Sequence, residues 1–251
     1  MTAPTPSRIT MTTRTESLSA QALWMTLHDS AFPAGRMVHS SGMESWLRAH
    51  PDAGPQAIIA MTLDYVLASL APLDAVVGAH AWAAGDTARL IELDRLLSAY
   101  KTSANARTAS VDPGRRLADT ARRVGLTSGA KKIGAQEIGV DQYIDAVRAE
   151  STPGNIAVVE AVLQAAMGID QPTAVLGTLR SGLSSALSVS VRLGRLGAMS
   201  AQRALVEATP ELVDSVEVVL ATPLSGMTGN AIDLEVWGMR HEQYAPRLFA
   251  T

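Results

Sequence analysis

The chain is 251 residues long with a formal net charge of -3, and 47% of its residues are hydrophobic. That length is ample to bury a core, as one large domain or two small ones, and the charge balance gives no basic footprint for nucleic acid. It contains no cysteine, which excludes a disulfide framework, a thiolate nucleophile and a Cys-based metal site, and makes a cytoplasmic location the economical expectation.

Ala, Leu and Val dominate the apolar set and aromatics are only 4%, a balance that favours helix packed on helix over a β-sandwich. Residues 1–17 are rich in Thr, Pro and Ser, lead into no apolar run of signal-peptide length, and are expected to form a disordered lead-in to a single helical domain over 18–251. Ser17 is placed to cap a helix from Leu18 to His28 that buries Leu23, Trp24 and Leu27. Phe32-Pro33-Ala34-Gly35 then breaks the chain, and a helix restarts near Val38 with Met43, Trp46 and Leu47 inward and His39, Ser40, Ser41 and Glu44 on its polar face. Pro55 opens an apolar helix to Leu70 and Pro72 opens another to Ala84. From Thr87, Leu90, Ile91, Leu93, Leu97 and Tyr100 alternate with Glu92, Asp94 and Arg95 in an amphipathic helix.

The polar stretch 101–123 is expected to be interrupted at Asp112-Pro113-Gly114, with Arg115, Arg116, Arg122 and Arg123 as an exposed basic cluster: a solvated face, or a docking surface for an acidic partner. Leu126 to Val140 is glycine-rich and is expected to be an ordered loop or hinge. Asp141 caps a short helix, and Gly154 or Asn155 begins another that Gly168 closes. The organising stretch is 172–207. Val175, Leu176, Leu179, Leu183, Leu187 and Val191 recur at helical spacing, and Gly177, Gly182 and several serines beside them let neighbouring backbones approach closely. Arg180, Arg192 and Arg195 leave too short an uncharged run for a membrane span of roughly 20 residues, so a central soluble helix is expected. Pro210 opens a helix to Leu220, Thr222 to Asn230 is a loop, and a last helix carries Val236, Trp237, Met239 and His241 before Pro246. The expected class is an all-α single-domain bundle of about ten helices.

Motifs for chemistry are missing. Gly125 to Lys132 has the wrong spacing for a phosphate-binding loop and puts Lys132 where a hydroxyl belongs. His241-Glu242 begins a zinc motif that Ala245 does not complete, and the five His are scattered. No Gly-x-Ser-x-Gly elbow occurs. The carboxylate pairs Asp64 with Asp74 and Glu92 with Asp94 fall on expected solvent faces. Neither an enzyme nor a cofactor or metal site is expected.

Three segments in order nonetheless carry a resemblance: Phe32-Pro33-Ala34-Gly35 with His39-Ser40-Ser41-Gly42-Met43-Glu44; Val191-Arg192-Leu193-Gly194-Arg195-Leu196-Gly197 with Gln202; and Met239-Arg240-His241-Glu242 with Arg247-Leu248-Phe249. Together they resemble the signatures of the urease accessory protein UreF family, from about Leu23 to Thr251. The resemblance implies an all-α, dimeric, non-catalytic assembly factor that bridges UreD (also called UreH) and the GTPase UreG while nickel enters apo-urease. The chain departs from the family pattern at Arg36, where a second Gly is usual, at Asn155 for a His, at Arg195 and Ala198 for Pro and Gln, and at Glu235 for an Asp.

On this reading a UreD-facing surface is expected at Trp237, Arg240, His241, Tyr244, Arg247 and Phe249, since aromatic and Arg side chains anchor interfaces. A UreG-facing surface is expected at Glu44, Arg192 and Arg195 with Arg115 and Arg116. Trp237 and Phe249 are equally suited to filling the core, and Arg192 to an internal ion pair. The rival expectation is a small-molecule-binding or catalytic helical protein with a polar pocket near His39, Ser40 and Glu44. A divergent homologue whose partner is no longer urease is the third.

Overall fold

A computed structural model describes residues 8–29, 31–34, 39–127, 139–229, 232–241 and 248–249. Among them every regular element is helical: α1 Arg8–His28, α2 Met43–Ala49, α3 Pro55–Tyr65, a π-helical stretch Val66–Ala75, α4 Val76–Trp82, α5 Thr87–Tyr100, α6 Ala104–Arg123, α7 Val140–Arg148, α8 Ile156–Ala166, α9 Gln171–Arg192, α10 Ala198–Glu207, α11 Thr209–Ala221 and α12 Ile232–His241. A short 3-10 turn, Leu224–Gly226, lies in the loop before α12.

Helix α9 is the hub, packed against α2, α3, the π stretch, α4, α8, α10 and α11. Asp170 caps its start by accepting the Thr173 N–H at 3.0 Å. Its expected face is buried at Val175, Leu179, Leu183 and Leu187 and half-buried at Leu176 and Val191. The small residues do what their size allows: a Cβ at Gly182 would lie 2.7 Å from Leu70 Cδ1, so a larger residue there would push the Leu70 side chain aside. A polar bracket fastens α1 to this centre. The Trp24 indole N–H donates to Gln164 Oε1 at 2.7 Å, and His28 Nδ1 lies 2.7 Å from Ser181 Oγ.

Several boundaries differ from expectation. Helix α1 starts at Arg8, so residues 8–17 are helical backbone rather than unstructured lead-in; no Gly or Pro occurs between Arg8 and His28 to stop a helix before the Ser17 signal. Pro72 does not open a new helix. One continuous rod runs Pro55–Trp82, and its π-helical middle accommodates the missing Pro72 N–H by widening the turns around it. This rod has the length and hydropathy of a membrane span, but here Ile58, Val66, Leu73, Val76 and Val77 are buried in the bundle. Likewise α6 passes straight through Asp112-Pro113-Gly114. Gly114 faces the α8 entry so closely that a Cβ there would lie 2.0 Å from the Gly154 carbonyl oxygen, so packing against α8 overrides the local breaker signal. The expected hinge falls mostly on 128–138, outside the described residues.

Of the four carboxylates read as solvent-facing, Asp64 and Glu92 are exposed, but Asp74 and Asp94 are the clearest correction. Asp94 is fully buried and Asp74 nearly so. On α5, Leu90, Leu93, Asp94 and Leu97 fall at i, i+3, i+4 and i+7, so helical geometry puts Asp94 inside whatever its polarity. Its carboxylate accepts the Thr152 hydroxyl and the Gly154 N–H at 2.7 Å, and both the N–H and the side-chain amide of Asn155 at 2.8 Å. It thereby caps the start of α8 from another helix, where the helix dipole favours an anion. Burial first, and then the Asp94 charge, hold the neighbouring Tyr143 phenol well above its ordinary pKa. Asn155 spends its amide on Asp94 and on Ser98 Oγ at 2.8 Å.

The basic cluster on α6 is also mostly engaged. Arg122 pairs with Asp141 at 2.8 Å and Asp145 at 3.1 Å, and Arg123 with Asp119 at 2.7 Å. These bridges fasten α6 to α7 or lie along the helix; Arg116 remains an exposed cation.

Candidate partner-binding site

The C-terminal helix docks where two glycines meet. Gly42, at φ 86°, ends the loop into α2, and a Cβ on it would strike the Leu234 carbonyl and the Gly238 N–H of α12. Only glycine adopts that left-handed conformation with nothing projecting into α12. From the other side the Asn105 amide donates to the Gly238 carbonyl at 2.6 Å, so α12 is held between α2 and α6.

Beyond α12 the chain returns to α2. Leu248 and Phe249 both donate their backbone N–H groups to Glu44, at 3.1 Å to each carboxylate oxygen. Glu44 is 4% exposed, not part of a polar outer face, and Arg48 one turn on reaches it at 3.4 Å. Phe249 is itself buried, with the Arg192 guanidinium 4.8 Å above its ring. Sequence reasoning assigned Glu44 and Arg192 to one surface and Phe249 to another; the fold joins all three in one seat.

A second chain of contacts runs alongside. Trp46 stacks on His50 at 4.7 Å, His50 meets the edge of half-buried Trp237 at 5.7 Å, and Arg240 lies 4.7 Å over the Trp237 ring. Trp46 and His50 were not singled out for this role, although their i, i+4 spacing on α2 is the signal that pairs them. Val236, Met239 and Leu248 stand exposed beside this strip. His241 is the last residue of α12; its side chain, and all of Tyr244 and Arg247, lie outside the described residues.

The remaining expected residues do not gather here. Arg195 donates to the carbonyls of Leu47, His50 and Pro51 at 2.8, 3.0 and 2.7 Å, closing the C-terminal end of α2. Arg115 binds Glu150 and the Pro153 carbonyl, each at 3.0 Å, on the α7–α8 turn.

His39 is buried rather than solvent-facing, with its Nε2 4.0 Å from Asp112. Burial holds its pKa below the ordinary 6.5; Asp112 opposes this and the nearby Arg116 adds to it. A folded-state pKa depressed in this way means that the unfolded chain binds the proton more readily, so stability is full above 6.5 and falls as pH drops toward the folded-state value. Urea titrations across pH 5 to 7 should show this loss, at no more than about 1.4 kcal/mol per pH unit for one proton, and His39→Gln should flatten it.

Fold and site together define an all-helical bundle whose conspicuous surface is made of the residue types that anchor protein interfaces. The family model for UreF matches residues 53–209, and the chain belongs to the UreF family. It is 29% identical over 233 residues to the urease accessory protein UreF of Kocuria rhizophila, covering 90% of this chain and 94% of that one. The protein of the same name from Bacillus sp. is 25% identical over 226 residues, covering 89% and 95%. That from Rhodopseudomonas palustris strain TIE-1 is 28% identical over 229 residues, covering 90% of each. The family is one of accessory proteins, not of enzymes.

Proposed function

We propose that this chain serves urease maturation as a cytoplasmic, non-catalytic adaptor between UreD (UreH) and the GTPase UreG during nickel insertion into apo-urease, working as a homodimer. The observation that carries the reading is the exposed strip on α12 and the tail. Val236, Met239 and Leu248 are apolar and exposed beside a Trp237 ring stacked under Arg240, a combination that gains by being covered.

UreD takes this strip, with Trp237 and Arg240 as anchors and with His241, Tyr244 and Arg247 among its contacts; buried Phe249 seats the tail rather than meeting the partner. UreG takes the exposed cations Arg192 and Arg116, with Arg115 beside the latter. Glu44 and Arg195 act indirectly, by fixing the tail and the end of α2. Deleting Met239–Thr251 is expected to abolish co-purification with UreD while circular dichroism keeps the helical signal of the parent. Undiminished co-purification would remove the C-terminal surface from the reading.

A further inference from the structure

A cavity of about 150 Å³ lies beneath α12, walled by the loop before α2, the π stretch, α6, α8, α9 and α12. At roughly 30 Å³ per water it has room for about five waters, or for one molecule of about six to eight non-hydrogen atoms. The wall is a mosaic. Serine hydroxyls enter it from three separate segments, Ser69 on the π stretch, Ser110 on α6 and Ser185 on α9, and the apolar side chains of Leu70, Ile156 and Leu234 share it with them.

The charged side chains in the wall already have partners. Lys101 and Asp74 pair at 2.9 Å. Glu160 has the Thr178 hydroxyl at 3.5 Å and His28 Nδ1 at 3.6 Å among its contacts, and Glu235 has the Thr102 hydroxyl at 3.5 Å. An ion entering the cavity would have to break into one of these arrangements. Ser110 is in a different position: it is 4% exposed, and its Oγ has no hydrogen-bond partner among the described residues. A hydroxyl shielded from bulk water and left unpaired is unfavourable, so a group that donates to it or accepts from it gains.

We propose that this cavity binds a small neutral polyol of the size of glycerol or erythritol, its hydroxyls paired with Ser69, Ser110 and Ser185 and its carbon chain laid against Leu70, Ile156 and Leu234. A serine hydroxyl both donates and accepts, and so does each hydroxyl of a polyol, so the two sets match without any net charge from the wall. A purely apolar molecule would strip water from the serines and return nothing. Water alone would satisfy the serines but leave the apolar part of the wall wet, whereas the carbon chain of a polyol covers it. Because Leu234 belongs to α12, and Ser110 and Ser185 to α6 and α9, the bound polyol braces the C-terminal helix against the bundle. This site does not depend on the adaptor reading.

The full chain should be titrated with glycerol and with erythritol, followed by amide NMR and calorimetry at low millimolar concentration, where the general stabilising effect of excluded osmolytes is weak. Sucrose, too large for the cavity, serves as the size control, and methylguanidinium chloride and sodium phosphate as the ionic ones. Saturable shifts of amides around the cavity and slower amide exchange over 232–241 are expected with at least one of the two polyols, and with none of the controls. Ser185→Leu, which fills the cavity and leaves every charge in place, should abolish binding. Ser110→Ala should weaken it at least about fivefold without lowering Tm, since alanine leaves no unpaired group behind; a serine with a purely structural role would not give that split. The proposal is overturned if neither polyol gives saturable shifts at the cavity, if sucrose or either salt shifts the same amides equally, or if Ser110→Ala or Ser185→Leu binds as the parent does.

Discussion

Asp94→Ala is expected to lower the stability of the purified chain by about 3–5 kcal/mol, the range for stripping one partner from a buried charged network. For a chain of this size that is a fall in Tm of roughly 10 °C or more. The carboxylate is fully buried and accepts from Thr152, Gly154 and twice from Asn155. Alanine would leave those donors facing a hole that lies too deep for bulk water, at the entry to α8. Asp94→Asn keeps the volume and one acceptor oxygen but turns an N–H₂ toward donors, so an intermediate loss is expected. Urea denaturation followed by circular dichroism measures both, and a loss below about 1 kcal/mol for the alanine variant would refute the structural role given to Asp94.

Glu44→Ala should leave the bundle folded and unseat its C-terminal end. Two backbone N–H groups converge on this carboxylate, and each hydrogen bond to a charged group contributes about 1.5–3 kcal/mol. Losing both shifts the tail from docked toward free by at least tenfold, and UreD affinity, on the proposed reading, falls by a similar factor. The clamp holds backbone rather than side chain, so substituting Leu248 by another apolar residue should matter far less. Limited proteolysis separates the cases: the variant should be cut near 242–249 while the core survives. A variant that resists cleavage as the parent does and binds UreD equally well would show that Glu44 is not the clamp.

Fold class was legible because period, not polarity, carries it: the α9 face and the terminating Gly168 each act within one helix. What local reading could not supply were the places where two helices meet. Pro72 and Pro113-Gly114 look like breaks until the π stretch and the Gly114–Gly154 approach are seen. Asp94 was legible in principle, since its spacing from Leu90 and Leu97 puts it inside, but polarity pointed the other way. The tail residues were picked out by type, whereas the union of Glu44, Arg192 and Phe249 spans 205 positions of sequence and follows only from the way α12 crosses Gly42. The pairing of Asp74 with Lys101 is of the same kind, set by the fold alone.

The adaptor reading is tested most directly by a pull-down in which the purified chain is mixed with UreD, UreG and apo-urease singly and together. Retention of UreD by the chain alone, with UreG joining the pair, is the predicted result. Failure to retain UreD under any combination, with the chain folded by circular dichroism, would contradict it.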